Sequence, residues 1–127
     1  MAAKQTMVTI KVENKRLEDL LTNALEGGSN YWYFLKSGNY PKGETKESLG
    51  IEFVHIELPF KGGSLTIGDL EASMPDKILD MKAIEKGLWI MAEKYPNHFS
   101  DFISENDDAT TGDVFLQCCL YGEVVFG

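Results

Sequence analysis

The residues best suited to chemistry lie near the C-terminal end, where one histidine precedes a run of carboxylates. His98 is followed by Asp101, Glu105, Asp107 and Asp108. An imidazole and several carboxylates can bind a metal ion, but the spacing fits neither the HExxH motif nor a calcium loop, which needs alternating oxygen ligands and a glycine. We therefore expect no metal there.

We interpret the four acids as a solvent-exposed surface that binds a partner with a basic surface. Reversing Asp107 and Asp108 to Lys should then weaken binding with little change in stability. The simpler alternative is that the negative charge only keeps the protein soluble.

Other catalytic patterns are weak. His55 and Glu57 share one face of an expected strand and could act as an acid–base pair, but an exposed polar pair needs no such role. The sequence lacks a nucleophile elbow, a phosphate loop and a dinucleotide fingerprint. Cys118 and Cys119 lie in an apolar segment, where we expect reduced, unreactive thiols. The sequence therefore predicts a non-enzymatic protein without a cofactor.

A second candidate site is the aromatic segment after Gly27-Gly28. Its residues are Asn30, Tyr31, Trp32 and Tyr33. Glycine allows close backbone approach, and aromatic rings can stack on a base, so this segment could bind a nucleotide-like small molecule. Because Arg16 is the single arginine, phosphate recognition would depend on helix N-termini. The alternative is that the rings are divided between the core and the ordinary surface.

The charge balance narrows the choice of partner. Twelve basic residues face twenty acidic ones, for a net charge of −8, and no Lys or Arg follows Lys94. Such a surface repels nucleic acid and anionic membranes, and it favours a basic protein surface. No apolar run is long enough to span a bilayer, and the N-terminus lacks the apolar core of a signal peptide. We therefore expect a cytoplasmic protein.

The C-terminal third should form a helical block. Asp80–Lys94 has an apolar stripe at helical spacing, formed by Ile84, Leu88 and Met91 and widened by Met81, Trp89 and Ala92. Pro96 should end this helix, after which Asn97 can cap a shorter one. A third helix should begin at Thr110 or Thr111 and stop at Gly122.

The N-terminal two thirds should supply a sheet. After a frayed lead-in at Met1–Thr6, strands are expected at Met7–Glu13, Ser29–Leu35, Ile51–Phe60 and Ser64–Asp69. Asn14 should cap a helix that Gly27-Gly28 stops, and Ser37–Leu49 should be a loop. The 127 residues fit one α+β domain (1–127), a small antiparallel sheet of three to four strands packed against a helical C-terminal block. The segment Glu123–Gly127 could be a short strand, a tail docked on the core, or an oligomer contact.

Three stretches together resemble a family of small acidic phage and prophage accessory proteins of unknown function. These are Gly27–Trp32, Met91–Phe99 and Asp113–Gly127. The resemblance implies a phage-encoded protein in a bacterial host cytoplasm, and carries no catalytic residue with it. By analogy, it suggests a protein that binds and blocks a host defence or nucleic-acid-processing factor. A binder of a nucleotide signal remains the alternative.

Overall fold

The computed structural model describes residues 4–127, so the expectation for Met1–Thr6 lies partly outside the described residues. Within this range the chain forms five α-helices and a three-stranded antiparallel sheet, with the helices mostly in the C-terminal half. The helices are α1 (Asn14–Asn23), α2 (Val54–Glu57), α3 (Met81–Lys94), α4 (Pro96–Ile103) and α5 (Ala109–Tyr121). The predicted α+β class is confirmed.

The sheet has the order β1-β2-β3, with β1 at Tyr33–Asn39, β2 at Ser64–Asp69 and β3 at Lys77–Leu79. In the central strand, Leu65 and Ile67 are fully buried, as their alternation predicts. Opposite them on β1 lie Gly38 and Leu35. The three-residue β3 was missed because so short a strand gives almost no periodic signal.

Two predicted strands are absent. The segment Met7–Glu13 has no regular structure, and Met7 is 87% exposed. Alternation describes which face of a strand is apolar, but a strand forms only where a neighbour accepts its backbone hydrogen bonds, and residues 4–12 make none in the described chain. The apolar residues of this segment therefore stay mostly in solvent.

The segment Ile51–Phe60 is helical instead of extended. Helix α2 begins after Phe53, and the Glu57 carboxylate accepts hydrogen bonds from the backbone N–H groups of Glu52 (2.8 Å) and Phe53 (2.6 Å). Pro59 sits in the first turn of a 3₁₀ helix at Leu58–Lys61, where its missing N–H costs nothing. These local hydrogen bonds replace those that a ladder would have supplied.

The predicted C-terminal helical block is confirmed, with corrections at its caps and faces. Asp80 caps α3 by accepting from the Ala83 N–H at 2.8 Å. Helix α4 starts at Pro96, so Asn97 lies inside the helix and does not cap it. Proline suits the first helical position because an N–H there would have no partner within the helix. Trp89, which was assigned to the apolar stripe of α3, is exposed, while Ile90 is buried in the core.

Helix α5 is the centre of the molecule, and every residue from Thr111 to Leu120 is buried. Neighbouring segments approach this helix closely because glycine lies at the contacts, on α3 and on α5 itself. A Cβ atom at Gly87 of α3 would lie 2.3 Å from the Cys119 Sγ, and one at Gly112 would lie 2.6 Å from the Ala24 nitrogen. Gly122 ends the helix in the left-handed conformation, as expected.

Replacement by alanine should destabilise the protein at Gly28 but have little effect at Gly27. In Gly28→Ala the new Cβ would lie 1.9 Å from the Ala109 carbonyl oxygen, whereas in Gly27→Ala the nearest atom is 3.8 Å away. Chemical denaturation should show that Gly28→Ala loses roughly 1 to 3 kcal/mol of stability. The matched control Gly27→Ala should stay within about 1 kcal/mol of wild type. Equal stability of the two variants would refute this helix packing.

Both cysteines should resist thiol reagents in the folded protein. Cys118 and Cys119 are free and buried. Burial raises the pKa of Cys118 to about 11 and that of Cys119 well above its ordinary value, so the reactive thiolate is scarce at neutral pH. Labelling followed at pH 7 should be slow in buffer and complete within minutes in denaturant. Rapid native labelling of either thiol would contradict the buried assignment.

Candidate functional site

The four acids predicted to bind a partner do not form one free surface. Arg16 of α1 reaches the connection between α4 and α5, where its guanidinium lies 3.4 Å from Asp107 and 3.8 Å from Glu105, and 4.5 Å from the centroid of the Phe102 ring. The Asn23 amide donates to the second Asp107 oxygen at 3.2 Å. The Asp107 side chain is only 7% exposed. Its contacts with Arg16 and Asn23 therefore hold α1 against this connection.

Asp108 is the N-cap of α5, a place the sequence analysis gave to Thr110 or Thr111. Its carboxylate accepts from the Thr111 N–H at 3.0 Å, and backbone hydrogen bonding lowers its pKa. A carboxylate near this helix end is also favoured by the helix dipole. Reversing Asp107 and Asp108 to Lys would therefore disturb the fold, contrary to expectation. Asp101, Glu105 and Asp108 are exposed and Asp107 is half-buried, but Asp108 is used as the cap of α5.

The aromatic segment is a turn that leads into β1, and its four residues do not share one face. Asn30 and Tyr31 are exposed, whereas Trp32 is only 3% exposed and Tyr33 is half-buried. The Tyr33 hydroxyl donates to the Leu25 carbonyl. Trp32 therefore belongs to the core, and Tyr31 is the ring offered to solvent.

A buried carboxylate holds this turn in place. Asp113 of α5 accepts hydrogen bonds from the Trp32 indole N–H (2.7 Å), the Ser29 hydroxyl (2.8 Å) and the Tyr31 hydroxyl (2.7 Å). A fourth comes from the Gln117 amide at 3.1 Å. All four donors are neutral, so hydrogen bonds alone compensate for the lost hydration of the carboxylate. This role was not predicted from the sequence, although an acid and an amide four residues apart in an apolar helix were a usable signal.

Gln117 is fully buried and extends the network to the C-terminal segment. Its Oε1 accepts from the N–H groups of Val125 (2.6 Å) and Phe126 (2.7 Å), and its Nε2 donates to the Phe126 carbonyl at 3.1 Å. The Phe126 ring stacks on Trp32, with centroids 4.8 Å apart. Of the three alternatives for Glu123–Gly127, the structure shows a docked tail.

A cleft of about 310 Å³ adjoins the exposed ring. It is lined by Tyr31, Trp32, Glu71, Phe126 and Gly127. Although the ring is exposed, partial burial of the Tyr31 hydroxyl and its hydrogen bond to Asp113 raise the pKa of Tyr31 to about 12, so its phenol stays neutral. The charged side chain lining this cleft is the Glu71 carboxylate, which repels phosphate. This environment does not favour a nucleotide.

A larger groove, of about 490 Å³, lies between α1 and α2. Its lining residues are Lys15, Glu18, Asp19, Thr22, Glu26, Glu52, Phe53, Ile56 and Glu57. Five of these nine carry carboxylates and one carries an amine, which is paired with Asp19 at 2.9 Å. Phe53 at the groove is 54% exposed. This groove was not predicted from the sequence, because an extended Ile51–Phe60 would have kept these acids apart in space.

The proposed acid–base pair does not form. His55 contacts Glu26, with Nε2 and Oε1 3.0 Å apart, whereas Glu57 is bound to backbone N–H groups that lower its pKa. Between residues 4 and 127, no cluster of three His, Cys, Asp or Glu side chains is arranged to hold a metal ion. Nor does any helix in that range have the length and apolar character to cross a membrane.

Comparison with protein-family models, with curated proteins and with solved structures finds no match to this chain. The candidate surfaces therefore have to be judged from their own geometry.

Removing the Asp113 carboxylate should destabilise the protein. Asp113→Ala leaves the Trp32 and Ser29 donors buried without an acceptor, which should cost at least about 2 kcal/mol in chemical denaturation. Asp113→Asn keeps one acceptor oxygen and should fall between this variant and wild type. Asp101→Ala, at an exposed carboxylate, is the control and should unfold like wild type. Wild-type stability of Asp113→Ala would show that the network is not structurally important.

Proposed function

We propose that this protein is a non-enzymatic accessory protein that binds a basic segment of a partner protein through the groove between α1 and α2. The observation that carries the proposal is the composition of that groove: five carboxylates and one lysine around an exposed phenylalanine. Carboxylates attract Lys and Arg side chains, and an exposed aromatic ring can anchor an apolar one.

Not all five carboxylates are equally available. Asp19 is neutralised by Lys15, and Glu57 is occupied by backbone N–H groups. Three acids remain to face a partner, namely Glu18, Glu26 and Glu52. Glu26 also contacts His55, with Nε2 and Oε1 3.0 Å apart, so Glu18 and Glu52 are the two of these acids without such a contact among the described residues. The acidic binding surface that we propose is therefore this groove and not the α4–α5 connection, where the charges of Asp107 and Asp108 support the fold.

The setting of this function is also a proposal. The resemblance to small phage accessory proteins suggests that the chain acts in a bacterial host cytoplasm, and that its partner is a host defence or nucleic-acid-processing factor that it blocks. The net charge of −8 supports a basic protein partner and opposes direct binding to nucleic acid. The alternative, a sponge for a nucleotide signal at the aromatic segment, is supported less well, because Trp32 is buried and Glu71 lines the adjoining cleft.

Charge reversal in the groove should weaken partner binding selectively. We would capture partners from phage-infected cells, identify them by mass spectrometry, and titrate the purified partner against the double variant Glu18→Lys/Glu52→Lys. Because two free carboxylates become cations, affinity should fall at least about tenfold and association should slow at low salt. Melting temperatures should change little, since neither side chain has a hydrogen-bond partner of its own in the described structure.

The matched control is Asp101→Lys/Glu105→Lys, which makes the same change in net charge on the other acidic surface. It should bind the partner nearly as wild type does, apart from a small general effect of charge. If only this control loses affinity, the partner binds at the α4–α5 connection and the groove assignment is wrong. If neither variant does, an acidic surface is not how the protein binds.

A further inference from the structure

The docked tail is held mainly through its backbone. Val124 donates its N–H to the Tyr95 hydroxyl at 2.8 Å, and Val125 donates to Gln117 at 2.6 Å. The two valine side chains are nevertheless 38% and 42% exposed. A terminal segment that merely filled the core would bury its apolar side chains. This one instead presents its N–H groups to the protein and its valines to water.

One side chain of the tail is recognised closely. The Phe126 ring lies 4.8 Å from Trp32 in a stacked arrangement and 5.8 Å from Tyr121 in an edge arrangement. Gln117 binds both the N–H and the carbonyl of the same residue. We call the recess formed by Trp32, Tyr95, Gln117 and Tyr121 the tail slot. Main-chain hydrogen bonds combined with a pocket for a side chain are one recurring way in which proteins bind extended peptides.

The walls of the tail slot are positioned by contacts that do not involve the tail. Asp113 binds both the Trp32 indole and the Gln117 amide, and it is itself part of the buried helix α5. The slot is therefore pre-organised, which reduces the entropic cost of binding a ligand. Gly122, in the left-handed conformation, separates the tail from α5, so the tail can leave without unwinding the helix.

From this geometry we infer that the tail slot is a peptide-binding site that takes an extended segment of a partner protein, with the chain's own segment Glu123–Gly127 as its resident competitor. The ligand must carry Phe at the position of Phe126. Its two preceding residues can vary in side chain, because the valines are exposed, but both must keep their N–H groups. Binding here is independent of the groove between α1 and α2.

The test uses the full chain and a fluorescein-labelled peptide with the sequence of residues 123–127. In Phe126→Ala the chain's own tail loses its ring and should no longer fill the slot. Fluorescence anisotropy should then show that the peptide binds this variant with at least about tenfold higher affinity than it binds wild type. In wild type the intact tail competes at high effective concentration. Asp101→Ala, at an exposed carboxylate that is not part of the tail slot, is the control and should behave as wild type. Adding Gln117→Ala to Phe126→Ala should abolish binding.

Peptide variants test the recognition rule. Val125→Pro in the peptide removes an N–H that Gln117 accepts, and Phe126→Ala removes the ring, so either change should abolish binding. Val124→Ala in the peptide should be tolerated. Equal binding of the unchanged peptide to wild type and to Phe126→Ala would place the peptide elsewhere and overturn the proposal, as would its failure to bind folded Phe126→Ala at millimolar concentration.

If Phe126→Ala does not fold, a protease site inserted between Gly122 and Glu123 allows the tail to be cut after folding. The cut tail should dissociate on dilution, and the labelled peptide should then replace it. A tail that stays bound and does not exchange would be a purely structural element, contrary to the proposal. Light scattering on wild type tests whether the slot binds the tail of a second copy of this chain. A dimer that disappears in Phe126→Ala would identify that second copy as the ligand. This result would overturn the assignment to a different partner.

Discussion

The buried hydrogen-bond network of Asp113 and Gln117 is the interaction on which the rest of the structure depends. The two side chains lie one turn apart on α5 and join this helix to a turn that is distant in the sequence and to the tail that follows the helix. Asp113 binds the turn at Ser29–Trp32, and Gln117 binds the tail at Val125 and Phe126. A carboxylate taken out of water is costly unless its oxygens are fully hydrogen-bonded. Because four donors satisfy this one, the same groups that compensate its burial also determine where the aromatic turn and the tail lie.

The close packing around α5 follows from small residues at its contacts. Gly87 and Gly112 let the helix backbones of α3, α1 and α5 approach to distances that a Cβ atom would prevent. This leaves little space between helices, so the larger open clefts lie at the surface, around the short helix α2 and beside the tail. Both surfaces that we consider for binding are therefore at the edges of a rigid helical centre, where side chains and chain ends can adapt to a partner.

Some charged side chains of this protein are paired within the fold, and others are free to contact a partner. Arg16, the single arginine, is used at the α4–α5 connection, and Asp107 and Asp108 are used there with it. Asp69 is similarly occupied, because it accepts hydrogen bonds from the backbone of Ser73 and Met74, which lower its pKa. A count of acids along the sequence therefore overstates the negative charge that a partner can meet. The groove between α1 and α2 matters because two of its carboxylates, Glu18 and Glu52, have no such internal partner among the described residues.

Local patterns in the sequence were enough to predict the α+β class, the helices α1 and α3, the strand β2 and the helix stop at Gly122. Each depends on side-chain periodicity or on a cap within a few residues. The composition also indicated an acidic protein, and the apolar run around Cys118 and Cys119 predicted their burial. Periodicity failed for Met7–Glu13 because a strand needs a partner. It failed for Ile51–Phe60 because Glu57 accepts local backbone hydrogen bonds and Pro59 has no N–H to give to a ladder.

Only the tertiary structure decided which charged and aromatic residues are free to bind. Asp107 contacts Arg16, which is 91 residues away in the sequence, and Trp32 donates to Asp113, which is 81 residues away in the sequence. Residue type cannot reveal such long-range pairings, because a carboxylate has the same chemistry whether it caps a helix, holds an arginine or faces solvent. What changes is the set of neighbours that the fold brings within hydrogen-bonding distance, and that set determines whether a polar group supports the fold or remains available to a partner.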